Sequence, residues 1–240
     1  MPSVIITGAD RGLGLSLCKE YLRRGWVVFA GKYMKEYNLL EDLQATNANL
    51  HIVWLDMGSA ENITAAASET AKILNGAPLD MLISNAALMG EVDCRLRQPP
   101  MNLEAVWTSF RVNALGPVLL TEALLPQMEG GLQRLCYVSS EVSCLDLKHR
   151  YEGAFPYPLS KTAMNMGIRT MHNDLHPKGF TFRLFHPGWM KFRMTDGSLT
   201  ETARFDPDYI GERAVEYFDT PLPSEHRLVM VDFNGYEWPY

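Results

Sequence analysis

Tyr157 and Lys161 are the residues whose types and spacing point most directly to acid–base chemistry. They stand four positions apart, so on a helix both side chains project from one face, one turn from each other. A free phenol has a pKa of about 10 and is a poor base at neutral pH. A cation roughly 4 Å away supplies about the 4 kcal/mol that lowering this pKa by about three units requires. This spacing favours a Tyr157 that exchanges protons with a bound molecule and a Lys161 that lowers its pKa; a chance occurrence of Y-x-x-x-K, which is common in proteins, is the alternative interpretation.

Two further polar residues extend this pair. Ser140 ends a predicted strand, where its hydroxyl can donate to a substrate oxygen beside Tyr157. Asn113 lies four residues before Pro117, which has no N–H to donate to the Asn113 carbonyl. If the helix continues, that carbonyl can hold a water for Lys161. A simple proline kink is the alternative interpretation.

A glycine-rich turn lies between the first predicted strand and the first predicted helix. Its spacing, G-x-x-x-G-x-G, differs from the G-x-G-x-x-G of larger dehydrogenases. Glycines there allow a tight turn and let backbone N–H groups approach a pyrophosphate at a helix N-terminus. A purely structural turn is the alternative. The residues assigned to dinucleotide binding in this turn are Thr7, Gly8, Asp10, Arg11, Gly12, Leu13 and Gly14.

The end of the second predicted strand bears on the choice of dinucleotide. A carboxylate there would accept from the ribose 2′-hydroxyl of NAD, whereas cations suit the 2′-phosphate of NADP. Lys32 is present and no acid precedes Glu36, while Arg11 can approach from the glycine turn. This pattern predicts NADP, although both cations could also be ordinary solvated surface charges.

Two more candidates follow the third and fourth predicted strands. The carboxylate of Asp56 can accept from an adenine amino group. The side chain of Asn85 can tie neighbouring loops together beneath the cofactor. Both are also common turn-forming residue types, which is the alternative interpretation.

Short apolar runs alternate with amphipathic helical segments along the whole chain, which predicts a doubly wound α/β fold: a parallel sheet of about seven strands with helices on both faces. We see no repeat or linker and expect residues 1–240 to form a single domain. Residues 144–156 and 189–206 are irregular and follow strand ends, where such sheets bind ligands. The predicted strands are Val4–Ile6, Trp26–Ala30, His51–Leu55, Leu79–Ser84, Leu135–Val138, Thr181–Phe185 and Leu228–Phe233.

The composition and charge of the chain limit the classes of partner and compartment that we expect. The net charge is −6, which argues against nucleic acid or an anionic membrane as partner. No signal peptide or membrane span is visible, so we expect a cytoplasmic protein. The cysteines have no metal-ligand spacing, suit a reducing compartment and are expected to be small core residues. They are Cys18, Cys94, Cys136 and Cys144.

Taken together and in this order, these features resemble the short-chain dehydrogenase/reductase family over essentially the whole chain. The short length and the Asn-Gly near the C-terminus are similar to its sniffer and C-signal branch of carbonyl reductases. The matching features are T-G-x-x-x-G-x-G at Thr7–Gly14, Asp56, Asn85, Asn113, Ser140, Tyr157 with Lys161, and Pro187-Gly188.

The resemblance implies roles for these residues in hydride transfer between NADP(H) and a small carbonyl or alcohol. Tyr157 would be the general acid/base and Ser140 would polarise the carbonyl. Lys161 would lower the Tyr157 pKa and bind the nicotinamide ribose, and Asn113 would hold a relay water. A homodimer or homotetramer is implied as well. The rival is a nucleotide-binding regulatory or scaffold protein with the same fold and no turnover. Further cofactor contacts implied by the resemblance are Met57, Ala86, Pro187 and Gly188.

The chain departs from the family pattern in three places. The segment from Ser140 to Tyr157 is longer than usual, which leaves Ser139 and Ser143 as alternatives for the serine role. The fourth-strand motif reads S-N-A-A rather than N-N-A-G, and no threonine directly follows Pro187-Gly188. We expect the longer segment, with Tyr151 and Phe155, to shape the substrate pocket. Further apolar residues flank the expected pocket and either line it or belong to ordinary packing: Met89, Trp189, Met190, Phe192 and Met194.

Overall fold

The computed structural model describes residues 1–90, 100–146, 154–191, 200 and 202–239. Four residues named above lie outside these ranges: Cys94, Tyr151, Phe192 and Met194.

The strands form one eight-stranded sheet in the order β3-β2-β1-β4-β5-β6-β7-β8. Neighbours from β3 through β7 pair in parallel, and β8 runs antiparallel to β7. The fold class is therefore confirmed, with one strand more than predicted, because a two-residue strand has no sequence periodicity to detect. The strands are β1 Ser3–Ile6, β2 Val27–Lys32, β3 Leu50–Trp54, β4 Met81–Ser84, β5 Arg134–Val138, β6 Thr181–His186, β7 Met230–Asp232 and β8 Glu237–Trp238.

Helices cover both faces of the sheet, since the central strands β1 and β4 are buried along their whole length. Residues of α1, α2 and α7 pack on one face, and residues of α3, α5 and α6 on the other. The helices are α1 Gly12–Arg23, α2 Leu39–Gln44, α3 Ala60–Leu74, α4 Leu103–Phe110, α5 Gly116–Met128, α6 Pro156–Leu175 and α7 Pro207–Asp219. In the described ranges, no helix combines the length and the apolar character needed to span a bilayer.

The sheet order places the candidate residues together. The chain moves outward from β1 to β3, then returns so that β4 pairs with the other side of β1. Open α/β sheets bind ligands at such a switch point, outside the carboxyl ends of the strands. The residues that follow or end β1 through β6 at this edge are Thr7, Lys32, Asp56, Asn85, Ser140 and Pro187.

Candidate active site

Side chains from β1 and β4 hold the glycine turn in place. Thr7 Oγ1 accepts from the backbone N–H groups of Asn85 (2.9 Å) and Ala86 (2.8 Å). Asn85 Nδ2 donates in return to the carbonyls of Thr7 (2.9 Å) and Gly8 (3.1 Å). Asn85 thus ties the two loops together, as the sequence predicts for it.

Two glycines are required by the close approach of these loops. Gly8 has φ +62°, and a Cβ there would lie 2.8 Å from the Ala86 Cα. A Cβ on Gly14 would lie 2.1 Å from the Gly8 carbonyl oxygen and 2.8 Å from Asn85 Nδ2. A side chain at Gly14 would therefore force the backbone of the turn to move.

The N-terminus of α1 suits an anion. Arg11 occupies the N-cap position without a capping hydrogen bond from its side chain, and the first turn contains no acidic residue. In contrast, Ser59, Asn102 and Asp206 cap α3, α4 and α7 with side-chain oxygens. Since helix N-termini attract negative charge, this end of α1 fits the pyrophosphate of a dinucleotide.

Asp10 and Lys32 are already engaged within the protein. The Asp10 carboxylate accepts from the N–H groups of Tyr33 (3.0 Å) and Met34 (3.1 Å), which joins the glycine turn to the end of β2. Burial raises the pKa of Asp10, and these backbone hydrogen bonds oppose the rise. Lys32 forms an ion pair with Glu41 of α2 and is 8% exposed. Its hydrogen bond lowers the pKa of Glu41.

The remaining nucleotide candidates lie along the same edge. Arg11 Nη1 donates to the Tyr37 hydroxyl (3.3 Å), and its guanidinium lies 5.4 Å from the centre of that ring. Asp56 Oδ1 accepts from the Gly58 N–H (2.8 Å) in the turn that leads into α3. Met57 is buried beside it.

Pro187 and Gly188 follow β6. Gly188 has φ +71°, and a Cβ there would lie 2.7 Å from the Phe233 ring. Beyond Gly188, Trp189 Nε1 donates to Thr202 Oγ1 (3.2 Å), and the backbones of Met190 and Phe205 form an isolated parallel β-bridge.

Tyr157 and Lys161 lie on the first two turns of α6. Lys161 Nζ donates to the Val138 carbonyl (2.9 Å) and lies 5.8 Å from the centre of the Tyr157 ring. Burial raises the pKa of Tyr157 to about 12, and a hydrogen bond with Ser140 opposes the rise. Burial lowers the pKa of Lys161 to about 7. Burial disfavours the charged form of both groups in this structure, and the lowering of the phenol pKa by Lys161 stays a prediction.

The structure distinguishes the three candidate serines. Ser140 is the serine whose side chain lies close enough to Tyr157 to lower the pKa of its phenol. Ser139 Oγ donates instead to Asn165 Oδ1 (2.7 Å), and Ser143 Oγ donates to the Ser140 carbonyl (2.6 Å). These contacts favour Ser140 for the serine role.

Asn113 lies in a continuous helical segment. A π-helical turn, Arg111–Leu115, connects α4 to α5, so the chain passes Pro117 without leaving the helix. The side chain of Asn113 is fully buried and pairs with both backbone groups of Leu88, at 2.7 Å each. Its Nδ2 also lies 2.9 Å from Ser160 Oγ. Asn113 thus fixes the loop after β4 against α6.

The carboxyl edge of the sheet thus carries both the N-terminus of α1, which attracts anions, and the Tyr157 phenol, which can hold a proton. The structure places Tyr157, Ser140 and Lys161 together between β5 and α6. Sequence reasoning missed two residues, Asn165 and Glu41. The spacing of Asn165, four residues after Lys161, offered a signal, whereas nothing local connects Glu41 to Lys32.

Comparison with known proteins identifies the class. A family profile described as short chain dehydrogenase matches residues 2–203. The chain belongs to this family and is an oxidoreductase by that membership. C-signal of Myxococcus xanthus is 35% identical over 164 residues, which cover 68% of this chain and 93% of that protein.

Solved structures of carbonyl reductases share the fold. An NADPH-bound carbonyl reductase from chicken fatty liver has a TM-score of 0.86 and 25% identity, with 100% of this chain and 99% of that chain covered. The carbonyl reductase Sniffer of D. melanogaster has a TM-score of 0.86 and 22% identity, with both chains fully covered, and supports the fold alone.

Proposed function

We propose that the protein is an NADP(H)-dependent reductase that interconverts a small carbonyl compound and its alcohol. The observation that carries the proposal is that Tyr157 and the buried Lys161 lie one turn apart on α6 at the end of β5, where Lys161 Nζ donates to the Val138 carbonyl and Ser140 lies close enough to Tyr157 to lower the pKa of its phenol. The NADPH bound by the chicken relative supports the choice of cofactor.

Residues along the carboxyl edge of the sheet would hold the cofactor. The α1 N-terminus would face the pyrophosphate. Arg11 and Lys32 would meet the 2′-phosphate, and Lys161 would bind the nicotinamide ribose. A bound nicotinamide would donate or accept the hydride. The remaining contacts would come from Thr7, Gly8, Asp10, Gly12, Leu13, Gly14, Asp56, Met57, Asn85, Ala86, Pro187 and Gly188.

Tyr157 supplies the proton. With a pKa of about 12, its phenol is protonated at neutral pH and can act as a general acid. In reduction, the carbonyl carbon takes the hydride while its oxygen, held by the Ser140 hydroxyl, takes the Tyr157 proton. The phenolate then regains a proton from water, by the relay that we assign to Asn113 and Lys161. Alcohol oxidation needs the phenolate, so its rate should rise with pH.

Replacing the phenol hydroxyl tests the mechanism. We expect Tyr157→Phe to lower the rate of NADPH oxidation by roughly 10²- to 10⁴-fold, because general acid–base catalysis contributes about that much. The assay follows nicotinamide absorbance with a panel of aldehydes, ketones and quinones. Tyr209→Phe, an exposed tyrosine of α7, is the matched control. Equal rates for Tyr157→Phe and the unmodified protein on every accepted substrate would refute the mechanism. Tight NADPH binding with no turnover would favour the scaffold role.

We also propose that the protein forms a homodimer or homotetramer. Large apolar side chains on α4 to α6 are exposed, which is typical of an interaction surface. A monomer at micromolar concentration in sedimentation equilibrium would contradict this. The exposed residues are Leu103, Trp107, Leu115, Leu119, Leu159 and Met166.

A further inference from the structure

Asn165 lies on the face of α6 that carries Tyr157 and Lys161. Lys161 lies four positions after Tyr157, and Asn165 lies four positions after Lys161, so the three side chains follow one another along the helix. Asn165 is 5% exposed. A buried amide needs partners for both its oxygen and its nitrogen, so its hydrogen bonds show what it holds.

The amide of Asn165 binds the chain on both sides of Ser140. Its Oδ1 accepts from Ser139 Oγ (2.7 Å), and its Nδ2 donates to Ser143 Oγ (2.8 Å). Ser143 Oγ donates in turn to the Ser140 carbonyl (2.6 Å). The Asn165 side chain therefore binds Ser139 directly and is linked through Ser143 to the backbone of Ser140.

The direction of these hydrogen bonds requires an amide at position 165. A serine hydroxyl has a single proton, and Ser143 gives its proton to the Ser140 carbonyl. The Ser143 oxygen can therefore only accept from residue 165. An aspartate has nearly the same shape as Asn165 but no donor. It would compete with the Ser140 carbonyl for the Ser143 proton.

We propose that Asn165 is a positioning residue, whose amide joins α6 to the end of β5 and so keeps Ser140 in contact with Tyr157. Ser140 and Tyr157 belong to different elements, and their contact depends on ties between those elements. Two further ties act nearby, from Lys161 to the Val138 carbonyl and from Thr162 Oγ1 to the Ser143 carbonyl (3.3 Å). The inference rests on the proposed function, since this contact affects turnover only if Ser140 and Tyr157 act on a carbonyl.

Asn165→Asp and Ser143→Ala test the proposal in the full-length protein. We expect kcat to fall roughly 10- to 100-fold, because small displacements of catalytic groups cost about that much. The affinity for NADPH should stay unchanged. The interaction with Ser140 lowers the pKa of Tyr157, so a variant that weakens this interaction should raise that pKa. The rate of alcohol oxidation, which rises with pH, should therefore begin to rise at a higher pH in both variants, as in Ser140→Ala. Asn173→Ala, an exposed asparagine on the same helix, is the matched control.

Three results would overturn the proposal. One is an Asn165→Asp protein with the kcat and pH profile of the unmodified protein. Another is a loss of activity that accompanies a lower Tm while the pH dependence of alcohol oxidation stays unchanged, which would indicate a general structural role. If Asn165→Asp fails to fold, Ser143→Ala and Ser139→Ala replace it as the test, because each removes a hydrogen-bond partner of Asn165. The third result is an unchanged kcat in both of these serine variants.

Crystal structures separate this inference from the proposed function. If the unmodified protein turns over no substrate, the proposed function fails. The distance from Ser140 Oγ to the Tyr157 hydroxyl then still tests the role of Asn165. A longer distance in Asn165→Asp than in the unmodified protein supports the role, and an equal distance refutes it.

Discussion

The glycine-turn region (residues 7–14 with Asn85 and Ala86) and the β5–α6 cluster (Ser140, Tyr157 and Lys161) share one edge of the sheet but are built differently. In the glycine-turn region, polar side chains bond to backbone groups of neighbouring loops, as Thr7 does with Asn85. In the β5–α6 cluster, burial raises the pKa of Tyr157 to about 12 and lowers that of Lys161 to about 7.

The difference separates shape from reactivity. Satisfied hydrogen bonds stabilise the first region and give its backbone a fixed form. Burial of ionisable groups costs stability in the second region, and it also sets their protonation states. Substitutions should therefore act in opposite directions on stability in the two regions.

Gly14→Ala should give the largest loss of stability. Its Cβ would lie 2.1 Å from the Gly8 carbonyl oxygen, so backbone must move. We expect the free energy of unfolding to fall by about 3 kcal/mol or more, measured by urea denaturation. Gly25→Ala is the control, with φ +77° and open space around its Cβ, and should cost about 1 kcal/mol from backbone strain. Equal losses for both variants would show that contact with Gly8 is unimportant.

Lys161→Met should have the opposite effect on stability while abolishing activity. The lysine pKa lies at about 7 in the folded state, below its ordinary 10.5, so below pH 7 the folded protein must carry a buried charge. Its penalty is complete there and fades as pH rises toward 10.5. Methionine removes the charge but leaves the Val138 carbonyl without this donor. We expect a net gain of about 2 kcal/mol at pH 6.

The pH dependence of that gain is the decisive measurement for Lys161→Met. Denaturation at pH 6 and at pH 10 should show a clear decrease in the stabilisation. Lys72→Met, an exposed lysine of α3, should change little at either pH. A variant at position 161 that is less stable than the unmodified protein at pH 6 would mean that the buried ammonium stabilises the fold.

The parts of the molecule that the sequence predicted are those with local patterns. The β-branched runs, the glycine turn and the Tyr157–Lys161 spacing each depend on neighbours within a few residues, and all lie where the pattern placed them. Strand ends then converge on one edge because parallel sheets place them there.

What the sequence could not predict depends on burial and on partners distant in the chain. The amphipathic pattern located α6, but only the packed structure shows how completely Lys161 is desolvated. The Ser139–Asn165 bond spans 26 positions, and no periodicity encodes it. The pairing of Lys32 with Glu41 likewise depends on how α2 folds back beside β2.

Cofactor choice should show the smallest effects, because the Lys32 ammonium is held by Glu41. A 2′-phosphate would compete with this carboxylate, so Glu41→Gln should strengthen NADPH binding by about 2- to 5-fold, in the range of one partly exposed ion pair. Lys32→Ala and Arg11→Ala should weaken NADPH binding and leave NADH nearly unchanged. Fluorescence titration with both nucleotides measures this, with exposed Glu36→Gln as the control for general charge. If Glu41→Gln strengthens NADPH binding equally in the Lys32→Ala background, the gain does not pass through Lys32, and the ion pair has no part in selecting the nucleotide.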